Sequence, residues 1–199
     1  PKNSSSKNLN ENISVDCVVF GFDGTELHVL LIDREDEMRN VASAYALPGN
    51  LIYDQENLNQ AAERVLKELT GLSDIYLEQF GAFGDPNRIK KKEDQPWLKA
   101  VRTNPDARVV TIAYYALIRM SDFKLNPSSF AKDATWVPLK DIEHLPFDHF
   151  MILNQSIEYL RNNTKIRPVG YNLLPKKFTL NEMQKLYEAI FSKKIDNRN

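Results

Sequence analysis

Two apolar runs and one amphipathic segment near the N-terminus constrain the fold more than any other feature of this chain. Residues 13–22, ISVDCVVFGF, are rich in β-branched and aromatic side chains, which favours a strand. Asp23 and Gly24 then supply a hairpin turn into a second run, LHVLLIDR. Between residues 62 and 72 the apolar positions instead recur at helical spacing, and Gly71 is well placed to end the helix. Two strands followed by an amphipathic helix predict an α/β domain.

The remaining segments extend the same pattern. Residues 74–84 and 108–120 are interpreted as strands, the second long and largely buried, and ATWVPL as another. The 85–107 connection between the first two is long, and long connections are more often functional or disordered than merely connective. Asp148 is a possible cap for a helix that starts just after it.

The composition of the chain excludes several classes of protein. The formal net charge of −1 gives no overall indication of nucleic-acid or membrane binding, so any such signal must be local. A single cysteine, Cys17, excludes an intramolecular disulfide framework, and its apolar surroundings favour a buried side chain. Apolar runs are too short for a membrane helix and the N-terminus is polar, so we expect a soluble cytoplasmic protein.

Composition changes after Arg161, and residues 163–199 look like a separate short unit. Thr179 followed three residues later by Glu182 is a capping-box signature for another helix. From residue 165 to residue 199 there are eight basic residues against three acidic ones. On charge alone, these basic residues are most simply interpreted as solvating a helix end and offsetting its dipole.

The segment 47–72, LPGNLIYDQENLNQAAERVLKELTGL, carries acids that could hold a metal or could simply face solvent. Mg²⁺ needs converging oxygen ligands, which on a helix means acids three or four residues apart. Glu68 has Arg64 and Val65 one turn before it, and Glu63 points about 140° away. An ion pair between Arg64 and Glu68 is the more natural use of these charges.

The spacing of this segment resembles the Nudix box, G-x5-E-x7-R-E-U-x-E-E-x-G-U with U apolar. The resemblance covers roughly residues 13–162 and implies an α/β/α sandwich with a mixed sheet. Asn50 stands at the first Gly of the box, and Val65 and Leu69 replace two acids that bind catalytic metals in the family. The resemblance therefore implies a degenerate box, with neither catalytic residues nor a metal cofactor expected.

The C-terminal run LLPKKFTLNEMQKLYEAI resembles the Nudix-related transcriptional regulators, in which a Nudix domain senses a ligand and a C-terminal winged helix-turn-helix binds DNA. That family implies a flexible N-terminus over 1–12, a sensing domain over 13–162 and the start of a winged domain over 163–199. It also implies a homodimer on a double-stranded operator, with an ADP-ribose-like or pentose effector. Lys193, Lys194 and Arg198 would lie near DNA phosphates, and we expect the residues that read bases to follow Asn199.

Guanidinium groups suit phosphates and carboxylates suit sugar hydroxyls, which nominates a set of effector-binding residues. The candidates are Arg34, Glu56, Arg64, Glu68 and Arg88. Each has an ordinary structural alternative, such as an ion pair within its own helix. Two other functions stay open: a Mg²⁺-dependent Nudix hydrolase resembling ADP-ribose pyrophosphatase, with Glu56, Glu68 and Asp85 gathering the metal, and a ligand-binding module without a DNA role.

Overall fold

The computed structural model describes residues 8–34, 45–129, 131–167 and 169–195, and the side chains of Arg34 and Lys132 are not among the described groups. The strands are β1 Leu9–Phe22, β2 Leu27–Arg34, β3 Tyr45–Ala46, β4 Gly49–Tyr53, β5 Glu78–Phe83, β6 Val110–Arg119 and β7 Ala131–Pro138. The helices are α1 Leu58–Thr70, α2 Gln95–Val101, α3 His149–Ile166 and α4 Leu180–Phe191. Short 3-10 helices cover Met120–Asp122, Leu139–Asp141 and Val169–Leu173.

β1 is the organising strand of a mixed sheet with the order β3-β2-β1-β6-β5, to which β4 adds on β1 and β7 on β2. It runs parallel to β6 over its whole paired length and antiparallel to β2 through the hairpin. Its N-terminal half pairs antiparallel with β4, which places Asp16 opposite Gly49. The predicted α/β class with a mixed sheet is confirmed.

The alternation of side chains along β1 divides the core into two layers. Val18, Phe20 and Phe22 belong to one cluster of buried residues, whereas Cys17 and Val19 belong to the other. Successive strand side chains point to opposite faces, so a run that is apolar at every position is buried on both sides. Burial raises the pKa of the Cys17 thiol, as expected for a packed side chain.

α1 covers one face of the sheet, and its ends follow local signals. Asn57 caps its N-terminus by accepting from the Gln60 amide at 2.9 Å, while the Gln60 side chain accepts from the Asn57 amide at 3.0 Å. Gly71 ends it with a φ of 81°, a conformation that costs glycine little. The predicted helix stop is confirmed.

α3 and the C-terminal segment cover the other face. Leu173, Leu186 and Ile190 share one buried cluster with the sheet residues, so this segment does not stand apart from the preceding domain. The predicted capping box of α4 is present, because the Glu182 amide donates to Thr179 Oγ1 at 3.2 Å and the Thr179 amide donates to Glu182 Oε2 at 2.7 Å.

Three features differ from the sequence-based expectations. β1 begins at Leu9, so part of the N-terminus expected to be flexible belongs to the sheet. Residues 85–107 contain α2, and the short strands β3 and β4 were not anticipated. Over the described residues, none of the helices has the length and apolar character needed to cross a membrane.

Candidate ligand-binding site

Arg64 of α1 makes hydrogen bonds that hold together residues 51–68 of the segment resembling the Nudix box. Its Nε donates to Glu56 Oε1, its Nη2 donates to Glu56 Oε2 and to the Leu51 carbonyl, both at 3.0 Å, and its Nη1 donates to Glu68 Oε2 at 3.1 Å. The guanidinium also lies 4.3 Å from the centre of the Tyr53 ring. Burial lowers the pKa of Arg64, but the carboxylates of Glu56 and Glu68 more than offset this and hold it above its ordinary value. The predicted Arg64–Glu68 pair is confirmed, and every guanidinium nitrogen is occupied within the protein.

Val65 and Leu69, which replace two acids of the box, belong to the core. They are 0% and 1% exposed and lie in the same apolar cluster as Val15, Cys17 and Ile32 of the sheet. A carboxylate at either position would lose its water without a partner, which is costly. These positions of α1 therefore serve packing.

The three acids of the hydrolase alternative have different surroundings. Both oxygens of Glu56 and one oxygen of Glu68 accept from the permanently charged guanidinium of Arg64. Asp85, the third acid of the hydrolase alternative, is exposed, and its Oδ1 accepts from the Asn87 amide at 2.7 Å.

A separate acid and histidine group lies on the β1–β2 hairpin. Within the described ranges, Asp23, Glu26 and His28 are the side chains whose donor atoms come close enough together to share a metal. Asp23 Oδ1 is already occupied, because it accepts from Thr25 and from the Glu26 amide to form the turn. We therefore interpret this group as part of the hairpin turn and not as a metal centre.

A cavity of about 240 Å³ opens between β1, β4, the 85–107 connection and the start of α3. Its walls are mainly apolar and include Leu47, Leu51, Ile89, Trp97, Val101 and Phe147. Its polar lining consists of Ser14, Asp16, Asn50, Arg88, Arg102 and His149. A concave apolar site with a few convergent polar groups is the usual form of a small-molecule site.

Arg88 forms a buried ionic cluster with Asp16 and Asp148, which we call the ionic floor of this cavity. It donates to both oxygens of Asp148, each at 2.8 Å, and to Asp16 Oδ2 at 3.2 Å. The three side chains are 3%, 9% and 6% exposed, so water does not screen these pairs. Burial lowers the pKa of Arg88, but the two carboxylates hold it above its ordinary value. Asp148 occupies the N-cap position of α3, yet its side chain makes no capping hydrogen bond, so the predicted capping role was wrong.

His149 and Gly49 complete the setting of Asp16. The Leu47 amide donates to His149 Nδ1 at 3.2 Å, which leaves the ring proton on Nε2, 3.4 Å from Asp16 Oδ1. Burial raises the pKa of Asp16, but His149 and Arg88 outweigh it and hold this pKa well below its usual range. Position 49 must be glycine, because a Cβ there would collide with Asp16 Oδ1.

Arg102, directly after α2, lines the cavity with its side chain. It is half-buried, and its Nη1 is buried with no hydrogen-bond partner in the described part of the chain. Burial lowers the pKa of Arg102. It also lines a second hollow of about 350 Å³, which shares Leu9, Leu51 and Val101 with the cavity.

The structure divides the predicted effector-binding residues into separate places. Glu56, Arg64 and Glu68 come together at the box, whereas Arg88 lies in the cavity floor. β4 connects the two places, since Leu51 accepts from Arg64 and also lines the cavity. Arg34 is the last residue of β2, and its side chain lies outside the described groups.

The predicted DNA-contacting residues lie at the far end of the C-terminal segment. Lys193 and Lys194 follow α4, are exposed, and line a surface hollow with Thr25 of the hairpin. Arg198 lies outside the described residues.

Sequence reasoning missed Asp16, Arg102 and His149 as cavity residues and treated Asn50 only as a departure from the box. Asp16 carried a usable signal, since it is the one acid in the buried part of β1, residues 14–22, where every other residue except Ser14 is apolar. Arg102 and His149 carried none, because each reaches the cavity only through the fold.

The model of the NUDIX domain matches residues 11–156. The chain belongs to the Nudix family. A model described as the NrtR DNA-binding winged helix domain matches residues 170–199. The regulator resemblance of the C-terminal run is thereby confirmed: the chain is a member of the Nudix-related, ligand-responsive transcriptional regulators.

Two known relatives of this Nudix chain are a transcriptional repressor, which agrees with that assignment, and an enzyme. It is 30% identical over 190 residues to the ADPR responsive transcriptional repressor NtrR of Acinetobacter baylyi, covering 94% of this chain and 69% of the repressor. It is 26% identical over 133 residues to the ADP-ribose pyrophosphatase of Methanocaldococcus jannaschii, covering 67% of this chain and 66% of the enzyme.

Solved structures of Shewanella oneidensis NrtR show the same architecture. The crystal structure of that protein superposes with a TM-score of 0.71 at 26% identity, covering 96% of this chain and 81% of that one. Its NUDIX domain complexed with ADP ribose superposes with a TM-score of 0.59 at 27% identity, covering 79% and 94%. Its complex with a 27mer DNA superposes with a TM-score of 0.66 at 26% identity, covering 94% and 78%.

Proposed function

We propose that this regulator binds an ADP-ribose-like effector in the cavity between β1, β4 and α2, and that the effector changes how a homodimer holds operator DNA. The observation that carries the proposal is the position of α3. Its first turn contributes His149 to the cavity, and Asp148 just before it holds Arg88. Near its other end, Arg161 Nε donates to the Ile190 carbonyl of α4 at 2.8 Å. One helix thus contacts both the candidate effector site and the DNA-binding segment.

The lining of the cavity supports an effector of this class. Trp97 and Phe147 lie 5.8 Å apart between ring centres, a surface suited to a flat base or a sugar face. Asn50 and His149 supply polar groups for hydroxyls, and Arg102 supplies a charge. The NUDIX domain of Shewanella oneidensis NrtR has been solved with ADP ribose, which supports the same ligand class here.

The DNA contacts in this proposal come from the C-terminal segment. Lys193, Lys194 and Arg198 contact phosphates, so binding weakens as salt rises but gains no base selectivity from them. A homodimer places two such segments on a two-fold operator. The effector acts only if its affinity differs between the two arrangements of these segments.

The proposal assigns no hydrolytic role to the box. Glu56, Arg64 and Glu68 keep β4 and α1 together, which shapes one wall of the cavity. The likeness to an ADP-ribose pyrophosphatase makes hydrolysis the second candidate. Incubation with ADP-ribose and Mg²⁺ tests it, because turnover at roughly 1 per second or faster would match ordinary enzymes and contradict a binding-only box.

The effector proposal is tested by titrating the protein with ADP-ribose in a calorimeter and repeating a fluorescence-anisotropy assay on DNA from its own promoter region. We expect ADP-ribose to bind and to change the apparent affinity for DNA, whereas a pentose has no effect. Trp97→Ala removes the stacking surface and should abolish both responses. Lys140→Met, at an exposed ion pair with Glu26, is the matched surface control and should change neither. If saturating ADP-ribose leaves DNA affinity unchanged, the effector proposal is wrong.

A further inference from the structure

Arg102 is a charged group whose hydrogen bonding is incomplete. Nη1 of its guanidinium is buried and has no partner in the part of the chain that the structure describes. A buried donor without a partner is unfavourable, and more so when it carries charge, because it has lost water and gained nothing. Such groups in native structures call for an explanation, and one explanation is a functional role in contacting a bound molecule.

Asp16, which lines the cavity, and Asp148, which shares Arg88 with it, already pair with other groups. Both oxygens of Asp148 accept from Arg88, Asp16 Oδ2 accepts from Arg88, and Asp16 Oδ1 faces His149 Nε2. Among the described residues, neither acid accepts a hydrogen bond from Nη1 of Arg102. Arg88, the arginine predicted to bind phosphate, is likewise engaged and cannot turn to a ligand without breaking its buried pairs.

The backbone beneath Arg102 is held in place. Its amide donates to the Leu98 carbonyl at 2.9 Å as the C-cap of α2, and the Leu98 side chain is 0% exposed. Trp97 of the same helix packs against Phe147, which ties α2 to the segment before α3. A charged side chain on a fixed backbone loses little freedom when a ligand arrives.

Arg102 also lies where two chambers meet. On one side is the mainly apolar cavity of about 240 Å³ with Trp97, and on the other is the hollow of about 350 Å³ with Glu11 and Asn104. If one molecule filled both chambers, the middle of that molecule would lie beside the guanidinium of Arg102. That arrangement suits a ligand with an anionic linker between two uncharged groups.

We propose that Arg102 recognises the phosphate or pyrophosphate of the effector and makes the site selective for phosphorylated nucleotides over nucleosides. This inference rests on the effector site proposed above. The guanidinium donates to the anionic oxygens and so completes its own hydrogen bonds on binding. The base or sugar at one end of the ligand then lies against Trp97, and the group at the other end occupies the outer hollow.

The test compares wild type with Arg102→Gln and Arg102→Lys, using ADP-ribose, AMP, inorganic pyrophosphate and adenosine in titration calorimetry. Arg102→Gln should weaken ADP-ribose and AMP binding by about 10- to 100-fold, the effect of losing hydrogen bonds to a charged group. Adenosine affinity should stay within about twofold, since that ligand carries no phosphate to lose. Arg102→Lys keeps the charge but lacks the planar guanidinium. Its affinity for ADP-ribose and AMP should therefore lie between the affinities of wild type and Arg102→Gln.

Arg108→Gln is the matched control. Arg108 directly follows the 85–107 connection and is exposed, and it does not line the cavity. Its guanidinium donates to the Gly84 carbonyl at 3.1 Å. It should leave all affinities unchanged. A merely structural Arg102 would show a lower melting temperature of the ligand-free Gln variant, whereas removal of an unsatisfied buried charge leaves that temperature unchanged or raises it.

The possible results separate the two proposals. If wild type binds ADP-ribose and Arg102→Gln binds it equally well, Arg102 is not the phosphate contact, although the effector proposal stands. If wild type binds AMP or pyrophosphate through Arg102 but not ADP-ribose, this inference stands and the effector is a different phosphorylated molecule. If wild type binds none of the phosphorylated ligands, both are wrong.

Discussion

Replacing Arg88 by methionine isolates the contribution of the buried ionic floor. The substitution keeps the unbranched stem and much of the volume of the side chain but removes the charge shared by Asp16 and Asp148. Both carboxylates are then buried without their counter-ion, since their side chains are 6% and 9% exposed. We expect the free energy of unfolding to fall by about 3–5 kcal/mol at pH 7, the usual cost of removing one partner of a buried pair. That change corresponds to a melting temperature lower by roughly 6–20 °C in a protein of this size.

The pH dependence of that loss gives a second, independent check. In wild type the pKa of Asp16 lies below its unfolded value, so its stabilisation is complete above about pH 4 and is lost as the pH falls further. In the variant, the contribution of Arg88 that opposes burial is gone, and we expect the pKa of Asp16 to rise. Protonation then relieves the penalty as the pH falls. The stability gap between the two proteins should therefore narrow from pH 7 towards and below pH 4.

Urea unfolding followed by tryptophan fluorescence at pH 7, 5 and 4 measures both quantities. The exposed pair between Lys140 and Glu26, at 67% and 33% exposure, supplies the control, and Lys140→Met should be indistinguishable from wild type. A loss below about 1 kcal/mol for Arg88→Met at pH 7 would contradict the buried pairing, given the values typical of surface pairs. A gap that widens as the pH falls would contradict the reasoning about Asp16.

Two further substitutions test other parts of the structure. Gly49→Ala should lower both the melting temperature and effector affinity, because its Cβ displaces the Asp16 carboxylate; unchanged values would show that β4 can shift away from β1 without cost. Arg161→Ala removes the bonds to the Ile190 carbonyl and Ser192 hydroxyl, so amide exchange in α4 should rise about tenfold by mass spectrometry while α1 is unaffected. Equal exchange of α4 in both proteins would mean that the shared core alone holds that helix.

Local sequence signals predicted the elements that depend on neighbours a few residues apart. The β1–β2 hairpin, the stop of α1 at Gly71, the Arg64–Glu68 pair and the Thr179 capping box all depend on contacts within one or two turns. β3, β4 and α2 escaped prediction because they are short and weakly periodic. The capping role of Asp148 was wrong because a distant arginine offered its carboxylate stronger, bidentate hydrogen bonds than a helix amide does.

By itself the sequence determined the α/β class, the Nudix register and the replacement of two box acids by Val65 and Leu69, since periodicity and spacing are properties of the chain. Only the tertiary structure decided where a ligand could bind. Arg88 lies 60 residues from Asp148 and 72 from Asp16, and these three meet only because β1, the 85–107 connection and the start of α3 converge around one cavity. The same convergence pairs Asp16 and Asp148 with Arg88, while Nη1 of Arg102 has no partner among the described residues. Which charges find partners depends on which elements become neighbours, and no local pattern specifies that.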